Sequence, residues 1–311
     1  YEIMENMSIK QETLEFREVT VDMRREVERY TKSAGLFSSE FTFTSYMVWG
    51  ARGKITIAFE DGVMYSRCSF PGAPMYMMAP VCLDPADYGR AIVRAEQYMV
   101  NNGVKPLFVG IAEQYAEQFR MAGFELEEDR DNFDYVYDME DLRDLPGKKY
   151  HAKRNFINRL EQSESFEFVT LGPENIGECI DLYEQWASNK DENDSLSIEW
   201  ELDAIRTALS NMMELDLLCG GIRINGEIKA FSVTDKPWKD MAVTYFEKAE
   251  AEVPGLYPLI NQQMAANLLN DVKYINREED MGLEGLRKAK LSYHPSKFIK
   301  KYRAAKRQNE I

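Results

Sequence analysis

The sequence has 311 residues, of which 44% are hydrophobic and 12% aromatic. This is enough for two cores of about 150 residues each and excludes a globally disordered chain. The formal net charge of -15 argues against DNA binding, because phosphate neutralisation needs clustered lysine and arginine. Four scattered cysteines and two histidines lack the short spacings of a zinc site. No apolar run approaches the roughly 20 residues of a spanning helix, and no signal peptide is visible. We therefore expect no transmembrane segment and a soluble, cytoplasmic protein.

The first half predicts a helical start, an antiparallel meander and then alternating helices and strands. The predicted strands are residues 14–19, 54–59, 63–68, 75–83, 106–111 and 134–139. The predicted helices are residues 22–30, 84–101 and 113–122, and residues 41–49 fit either state. Asp61 and Gly62 form a typical hairpin turn, and Asp84 is a typical helix N-cap before Pro85. Residues 144–147, Asp-Leu-Pro-Gly, predict a domain boundary.

The second half repeats this order of elements with hardly any identical residues. Its predicted helices are residues 149–162, 175–187, 197–213, 256–269 and 284–292. Its predicted strands are residues 166–171, 215–224, 228–234, 242–248, 272–277 and 298–302. On helix 149–162, Ala152, Phe156 and Leu160 are predicted to form one apolar face. Strands and helices that alternate after an antiparallel start predict an α+β fold with a mixed sheet in each half.

Polar residues are concentrated near the end of the chain. From Asn276 the sequence reads Asn-x-Glu-x-Asp-x-Gly-x-x-Gly-Leu-Arg-Lys-x-Lys-x-Ser-Tyr-x-Pro, and it continues to Lys300-Lys301-Tyr302. This run resembles the phosphatidylglycerol lysyltransferase C-terminal domain family, and the resemblance covers most of the chain. It implies two tandem GNAT-like (acyl-CoA N-acyltransferase) domains, each a mixed, mostly antiparallel sheet flanked by helices. We expect them at residues 8–145 and 146–311, with the site in the second.

The same resemblance implies transfer of an acyl or aminoacyl group to an amine or hydroxyl. The donor would be acyl-CoA or an aminoacyl-tRNA, so charged tRNA is a possible partner and no tightly bound cofactor is expected. Because lipid-modifying family members carry transmembrane helices and this sequence predicts none, we expect a small-molecule or peptide acceptor. The alternative is a non-catalytic protein that uses the same fold and a basic groove to hold RNA or an anionic ligand.

In a GNAT-type fold, the donor's phosphates meet the start of the helix after the fourth strand, where free N–H groups and the helix dipole attract anions. In the second half this turn would contain Gly255 and Tyr257, and we expect Gly255 to allow close approach of a ligand. The turn lacks the Gln/Arg-x-x-Gly-x-Gly/Ala pattern of CoA-binding members. The equivalent turn of the first half, residues 84–87, is acidic and would repel a pyrophosphate. We therefore expect the first half to act as a scaffold or as part of the acceptor groove.

Acyl transfer needs a base for the attacking group and hydrogen-bond donors for the oxyanion. The predicted catalytic residues are Asn276, Glu278, Asp280 and Lys288. The first three alternate along a segment that we expect to be extended, so they should point to one side, and Lys288 could hold the oxyanion. Further candidate bases are Glu247 and Asp235. For each acid taken alone, a solvated surface charge is the simpler interpretation.

Basic residues cluster on helix 149–162 and again after residue 286. Lys149, Lys153 and Arg154 lie within just over one helical turn and can present adjacent cations. The predicted substrate- or phosphate-binding residues are Lys149, Lys153, Arg154, Asn158, Gly255, Tyr257, Arg287, Lys290 and Tyr293. They could hold the phosphates of a tRNA acceptor stem, of CoA or of a lipid headgroup. A solvated helix face followed by a basic tail is the alternative.

Overall fold

A computed structural model describes residues 13–189 and 195–306. The predicted domain limits at residues 8 and 311 lie outside these ranges. The described strands are β1 (Arg17–Glu18), β2 (Ile55–Glu60), β3 (Val63–Cys68), β4 (Tyr76–Met78), β5 (Val81–Cys82), β6 (Leu107–Ala112), β7 (Glu125–Glu128), β8 (Asp134–Asp138), β9 (Phe166–Thr170), β10 (Leu218–Ile224), β11 (Glu227–Trp238), β12 (Met241–Ala249), β13 (Tyr274–Asn276), β14 (Lys297–Ile299) and β15 (Lys301–Ala305).

The described helices are α1 (Arg24–Ser33), α2 (Phe43–Trp49), α3 (Tyr88–Asn101), α4 (Ala116–Met121), α5 (Met139–Asp144), α6 (His151–Ser163), α7 (Ile176–Ser188), α8 (Ser195–Ser210), α9 (Leu256–Asn267) and α10 (Glu284–Leu291). Of the helices in the described part of the chain, none is both long enough and apolar enough to cross a membrane.

These elements form two mixed sheets, as the α+β prediction requires. The first sheet has the order β1-β2-β3-β4-β6-β15-β7, with β5 also paired to β3. The second has the order β14-β8-β13-β12-β11-β10-β9. Each sheet contains one parallel pair, β4 with β6 and β12 with β13, whereas the other recorded pairs are antiparallel. One helix joins the strands of each parallel pair, α3 in the first sheet and α9 in the second.

Several local predictions are confirmed. Strands β2 and β3 form the expected hairpin, and Asp61 and Gly62 at its turn have φ of 47° and 77°. The Asp84 carboxylate accepts a 2.9 Å hydrogen bond from the Ala86 amide, as an N-cap should. Residues 41–49, left open between helix and strand, form helix α2, and its N-cap Thr42 accepts a hydrogen bond from the Ser45 amide.

Other local predictions are wrong. The run 75–83 is divided into β4 and β5, with Pro80 between them, because proline has no N–H for a sheet. Residues 14–19 contain only the short β1, and the charged edge strand β7 was not predicted. On α6 the buried residues are Ile157 and Leu160, while Phe156 is 44% exposed, so the predicted apolar face was wrongly placed.

The two sheets exchange strands across the predicted boundary at residues 145/146. Strand β8, which precedes the boundary, lies in the second sheet between β14 and β13. Residues 298–302, predicted as one strand, belong to β14 and β15, and β15 pairs with β6 and β7 in the first sheet. The two-domain limits stay a prediction, since neither sheet is built from one continuous half of the chain.

A buried polar cluster lies where the chain passes from one sheet to the other. Asp134 is fully buried, and its carboxylate contacts the Lys301 ammonium at 2.7 Å. The same carboxylate accepts hydrogen bonds from the Ser39 amide at 2.7 Å and from the Asn276 side chain at 2.8 Å. Glu40 also pairs with Lys301, at 2.5 Å. Because buried charges need such partners, these contacts fix the two sheets against each other.

Candidate functional site

The parallel strands of the second sheet separate after a short paired stretch. Strand β12 pairs with β13 only through residues 241–243, and β12 then continues to Ala249 while β13 ends at Asn276. The next residue, Arg277, extends its side chain across the opening, and its Nη2 lies 2.8 Å from a carboxylate oxygen of Glu247 on β12. A charged pair therefore occupies the open end of the parallel strands.

Three buried polar atoms around this pair have no hydrogen-bond partner among the described residues: Nη1 of Arg277, Oδ1 of Asn261 and Oγ of Ser232. Asn261 lies on α9, and its Nδ2 is 3.5 Å from the Glu247 carboxylate. Ser232 lies directly opposite Glu247 in the register of β11 and β12. Buried polar atoms are almost always paired. We refer to Ser232, Glu247, Asn261 and Arg277 as the Glu247 cluster, which has the unused hydrogen-bonding capacity expected where a polar ligand binds.

Two predicted binding residues adjoin the Glu247 cluster. The Lys153 ammonium of α6 lies 3.9 Å from the centre of the buried Tyr293 ring, and the Arg277 guanidinium lies 4.8 Å from the same ring. Burial, with repulsion from Arg277, lowers the pKa of Lys153 to about 8, while Glu247 opposes this shift. Basic helix α6 and the C-terminal motif therefore meet at Tyr293.

The other basic residues predicted on this helix are engaged elsewhere. The Lys149 ammonium forms a 2.7 Å ion pair with Asp141. The Arg154 guanidinium donates to the backbone carbonyls of Leu145 and Gly147. These contacts use the two cations to close the connection between α5 and α6. They do not place the cations beside Lys153 as a phosphate cradle.

Asn158, also predicted for the binding set, is exposed on α6.

Gly255 does not have the expected role. Its φ is 99°, and an added Cβ would lie 2.6 Å from the Phe156 carbonyl oxygen of α6. The missing side chain thus allows α6 to approach the start of α9, and the close approach predicted for a ligand is made by the chain itself. Tyr257, two residues later, is 37% exposed, and burial, opposed by a hydrogen bond from the Ala249 backbone, raises the pKa of its hydroxyl.

The predicted alignment of Asn276, Glu278 and Asp280 is wrong because the chain is not extended beyond β13. Glu278 and Met281 both adopt left-handed backbone conformations, with φ of 56° and 54°. The Asn276 side chain is fully buried and accepts a hydrogen bond from the Glu278 amide while donating to Asp134. Burial, then repulsion from Glu279, raises the pKa of Glu278 well above its usual range.

Asp280 is the centre of a separate clamp. Its buried carboxylate accepts hydrogen bonds from Arg287 at 2.8 and 2.9 Å and from the Tyr135 hydroxyl at 2.5 Å. The Arg130 guanidinium and the Gly282 amide also donate to it. Burial by itself raises the pKa of Asp280, but these hydrogen bonds and the charge of Arg287 bring it well below its usual range. A carboxylate with these partners fixes the loop and is poorly suited to accept a proton.

The remaining predicted residues of the motif differ in surroundings. Lys290 is largely buried and donates to the Arg277 carbonyl; burial and repulsion from Arg277 lower its pKa to about 8. It therefore helps to position the backbone of the Glu247 cluster. Lys288 is exposed, and no described residue is recorded as its hydrogen-bond or ion-pair partner.

Candidate base Asp235 lies away from this opening. Its buried carboxylate accepts hydrogen bonds from Thr44 of the first half and from Tyr245, at 2.5 and 2.9 Å.

Three residues of the Glu247 cluster were not predicted. Arg277 occupies an unassigned position of the C-terminal motif, between two residues that were chosen. Asn261 is a polar residue on the otherwise apolar face of α9, and Ser232 is a polar residue within a buried strand. The sequence did contain a signal for Asn261 and Ser232. Each is a polar residue at a position where the helix or strand pattern requires an apolar one. Within the described ranges, no group of three or more His, Cys, Asp or Glu residues could hold a metal ion.

A family profile described as "Phosphatidylglycerol lysyltransferase, C-terminal" matches residues 32–305. The chain belongs to this family. A search of curated proteins found no match. The fold of the chain is the acyltransferase-like fold of GNAT-type proteins.

Three solved structures illustrate the relationship. A conserved protein of unknown function from Bacteroides thetaiotaomicron VPI-5482 has 28% identity and a TM-score of 0.85, covering 95% of this chain and 100% of its own. L-PGS from Bacillus licheniformis has 13% identity and a TM-score of 0.66, covering 92% and 93%. A tandem GNAT protein from the clavulanic acid biosynthesis pathway has 12% identity and a TM-score of 0.51, covering 94% and 98%. The last two are similar in fold.

Proposed function

We propose that this family member transfers an aminoacyl or acyl group, from aminoacyl-tRNA or acyl-CoA, to an amine or hydroxyl acceptor at the Glu247 cluster. The observation that carries the proposal is the set of three buried polar atoms around Glu247, at the open end of β12 and β13, that have no partner among the described residues. An aminoacyl donor suits them better than a plain acyl group. Its ammonium can donate hydrogen bonds to Oδ1 of Asn261, whereas an acetyl group has no donor to offer.

The transfer would proceed by attack of the acceptor nitrogen or oxygen on the donor's carbonyl carbon. Nη1 of Arg277, which lacks a partner in the described chain, would donate to the developing oxyanion. Glu247 would accept the acceptor's proton. The new C–N or C–O bond forms, and the C–O bond to tRNA or the C–S bond to coenzyme A breaks. The proton then passes from Glu247 to the departing oxygen or sulfur, which returns the site to its starting charge.

The alternative, a non-catalytic protein with a basic groove, has less support. Of the cations predicted to form that groove, Lys149 and Arg154 are held by their own chain, and Arg287 is bound by Asp280 and Asp131. Anion binding there would have to displace these contacts. We therefore treat binding without transfer as an outcome to be tested.

The test is to incubate the protein with tRNA charged with a labelled amino acid, and separately with labelled acetyl-CoA. Label leaving the donor and appearing in a pool of amine acceptors is the readout. Glu247→Gln should lower the rate per folded molecule by about 100-fold or more, because it removes the base. Glu117→Gln, a change at an exposed carboxylate of the first half, is the matched control. A Glu247→Gln rate equal to that of the control would contradict the assigned site, and donor binding without transfer would favour the non-catalytic alternative.

A further inference from the structure

A second candidate binding region is a cleft of about 1180 Å³ between the two sheets. Met241 and Tyr274, the first residues of β12 and β13, line it. Glu247 lies six residues further along β12, which is about 20 Å in an extended strand. The cleft is therefore at the opposite end of the parallel strands from the Glu247 cluster. It has no part in the transfer proposed above.

Aromatic side chains are exposed in this cleft. Phe37 is 54% exposed. Trp238 is half-buried, with its ring centre 5.6 Å from that of Phe37. Large aromatic surfaces that remain open to solvent commonly mark a binding site, and flat rings suit a flat ligand ring.

Lysines lie beside aromatic residues that line the cleft. Lys239 directly follows Trp238, and Lys297 contacts Tyr274. Both lysines are exposed, and no ion-pair partner is recorded for either within residues 13–189 and 195–306. The Lys297 ammonium lies 3.9 Å from the centre of the Tyr274 ring, and both residues line the cleft.

The charge of the cleft contrasts with that of the whole chain. Five lysines line it, Lys32, Lys239, Lys297, Lys300 and Lys301, against two carboxylates, Glu113 and Asp240. Lys301 is committed to the buried cluster with Asp134. On the surface, Lys300 pairs with Glu128 at 3.0 Å and Lys32 pairs with Glu28 at 2.7 Å. Exposed pairs of this kind are weak, so Lys300 can exchange its partner for an anionic ligand. In a chain of net charge -15, this is a local basic lining.

The distance between Lys297 and the Trp238–Lys239 pair limits which ligands can contact both. Lys297 and Phe298 lie in β14, whereas Trp238 and Lys239 lie where β11 turns into β12. Strands β8 and β13 separate β14 from β12, so the two walls are about 14 Å apart. A ligand that uses both walls needs a planar part for one aromatic surface and an anionic part that reaches lysines.

We propose that this cleft binds a nucleotide, with the base stacked on the Trp238 and Phe37 rings and phosphate held by Lys239 and Lys297. Aromatic stacking combined with adjacent cations is how proteins hold single-stranded nucleic acids without reading their sequence. The same chemistry fits a free nucleotide and a nucleotide within a single-stranded RNA. The proposal is independent of the donor and acceptor at the Glu247 cluster.

The test uses calorimetric titration of the full chain at low salt with ADP, adenosine and a single-stranded RNA tetranucleotide. We expect saturable ADP binding, with adenosine weaker because it lacks phosphate. Lys239→Ala combined with Lys297→Ala should weaken ADP binding about tenfold. Phe37→Ala should weaken it by a similar factor of about ten. Tighter binding of the tetranucleotide than of ADP would identify RNA as the source of the nucleotide, and the reverse order a free nucleotide.

The matched controls are Lys105→Ala for the lysines and Met121→Ala for Phe37, since both residues are exposed and lie outside the cleft lining. Each should leave ADP binding unchanged. The proposal is overturned if ADP gives no saturable signal or if adenosine binds as tightly as ADP. It is equally overturned if vesicles of anionic phospholipid bind through Lys239 and Lys297 while ADP does not.

Discussion

The two parallel strand pairs, β4 with β6 and β12 with β13, are connected in the same way. They differ in which side chains occupy the opening where the two strands separate. In the first sheet, β4 and β6 separate near Gly110, where an added Cβ would lie 2.9 Å from the Glu40 carboxylate and 3.5 Å from the Phe41 ring. The chain thus packs its own side chains at the opening. In the second sheet, the opening between β12 and β13 contains the three atoms of the Glu247 cluster that lack a partner in the described part of the chain. Equivalent topology therefore yields a packed core in one half and a candidate site in the other.

The helices that follow the first strand of each parallel pair, α3 and α9, differ in how their N-termini are capped. The polypeptide that enters α3 is capped by the Asp84 carboxylate, which already accepts a backbone N–H. The N-cap of α9 is Gly255, which supplies no side-chain cap. An anion at the start of α3 would meet a carboxylate, whereas none caps α9. The expectation that the first half serves as a scaffold stays a prediction, and this contrast supports it.

The largest expected effect concerns the loop that bounds the second opening. Asp280→Asn should lower the free energy of unfolding by about 3 kcal/mol, because Arg130 and Arg287 would lose the charge that holds them. Urea unfolding measures this change. Lys288→Ala, at the exposed predicted site residue nearby, should stay within about 0.5 kcal/mol of the unmodified protein. If Asp280→Asn were as stable as Lys288→Ala, the clamp would not fix this loop and Asp280 would regain its place as a candidate base.

The next effect compares the glycines at the two openings. Gly255→Ala should lower the unfolding free energy by about 2 kcal/mol, since the new Cβ strains a left-handed backbone and meets the Phe156 carbonyl. It should also reduce transfer per folded molecule, because α6 carries Lys153 towards Tyr293.

Gly110→Ala should destabilise the fold and leave transfer per folded molecule unchanged, because its opening is already filled. Gly226→Ala, at a left-handed turn glycine with no atom near the added Cβ, controls for backbone strain alone. Thermal unfolding measures the change in stability, and the transfer assay measures the rate per folded molecule. Equal loss of transfer from Gly110→Ala and Gly255→Ala would remove the distinction between the openings.

A smaller effect of opposite sign is expected at Ser232. Its buried hydroxyl has no partner among the described residues, so Ser232→Ala should raise the unfolding free energy by about 1 kcal/mol. If the hydroxyl instead serves a ligand, the same change should slow transfer. A variant that is more stable but less active would indicate that the Ser232 hydroxyl binds a ligand. A less stable variant would show that this hydroxyl already has a hydrogen-bond partner in the free protein.

The smallest effect is a pH dependence at the contact between the first half and β11. Burial raises the pKa of Asp235 to about 7, against the opposing hydrogen bonds from Thr44 and Tyr245. Because the folded state holds this proton more tightly than the unfolded state, stability falls as pH rises from about 4 to about 7. Asp235→Asn should flatten that part of the curve, measured by urea unfolding at pH 5 and pH 8. Asp181→Asn, on an exposed carboxylate, should leave the slope unchanged; an unchanged slope in Asp235→Asn would argue against a raised pKa.

Features set by a few neighbouring residues were predictable. The β2–β3 hairpin follows from alternating side chains around Asp61 and Gly62, and the start of α3 follows from Asp84 and Pro85. The C-terminal motif correctly indicated the family. The motif brought attention to Tyr293 and the basic helix to Lys153, and these two residues meet in the structure. Such signals act over short sequence distances, so they survive without knowledge of the rest of the fold.

The site was only partly predictable because its decisive property is a missing partner. Sequence patterns identified Glu247 as a possible base, but they cannot show that Arg277 crosses to it. Nor can they show that Asn261 and Ser232 each have a buried atom without a partner among the described residues. Asp280 was chosen for its charge, and the structure engages that charge with two arginines.

By itself the sequence determined the α+β class, most of the helices and strands, and membership of the family, since these depend on local periodicity and on a long motif. Only the tertiary structure decided that β8 and β15 exchange sheets and that Glu40 and Phe41 fill the first opening. It also decided that three atoms of the Glu247 cluster have no partner among the described residues at the second opening. Each of these depends on contacts between residues far apart in the chain. The free energy of such a contact depends on two segments that are distant in sequence, so the sequence of either segment alone does not predict it.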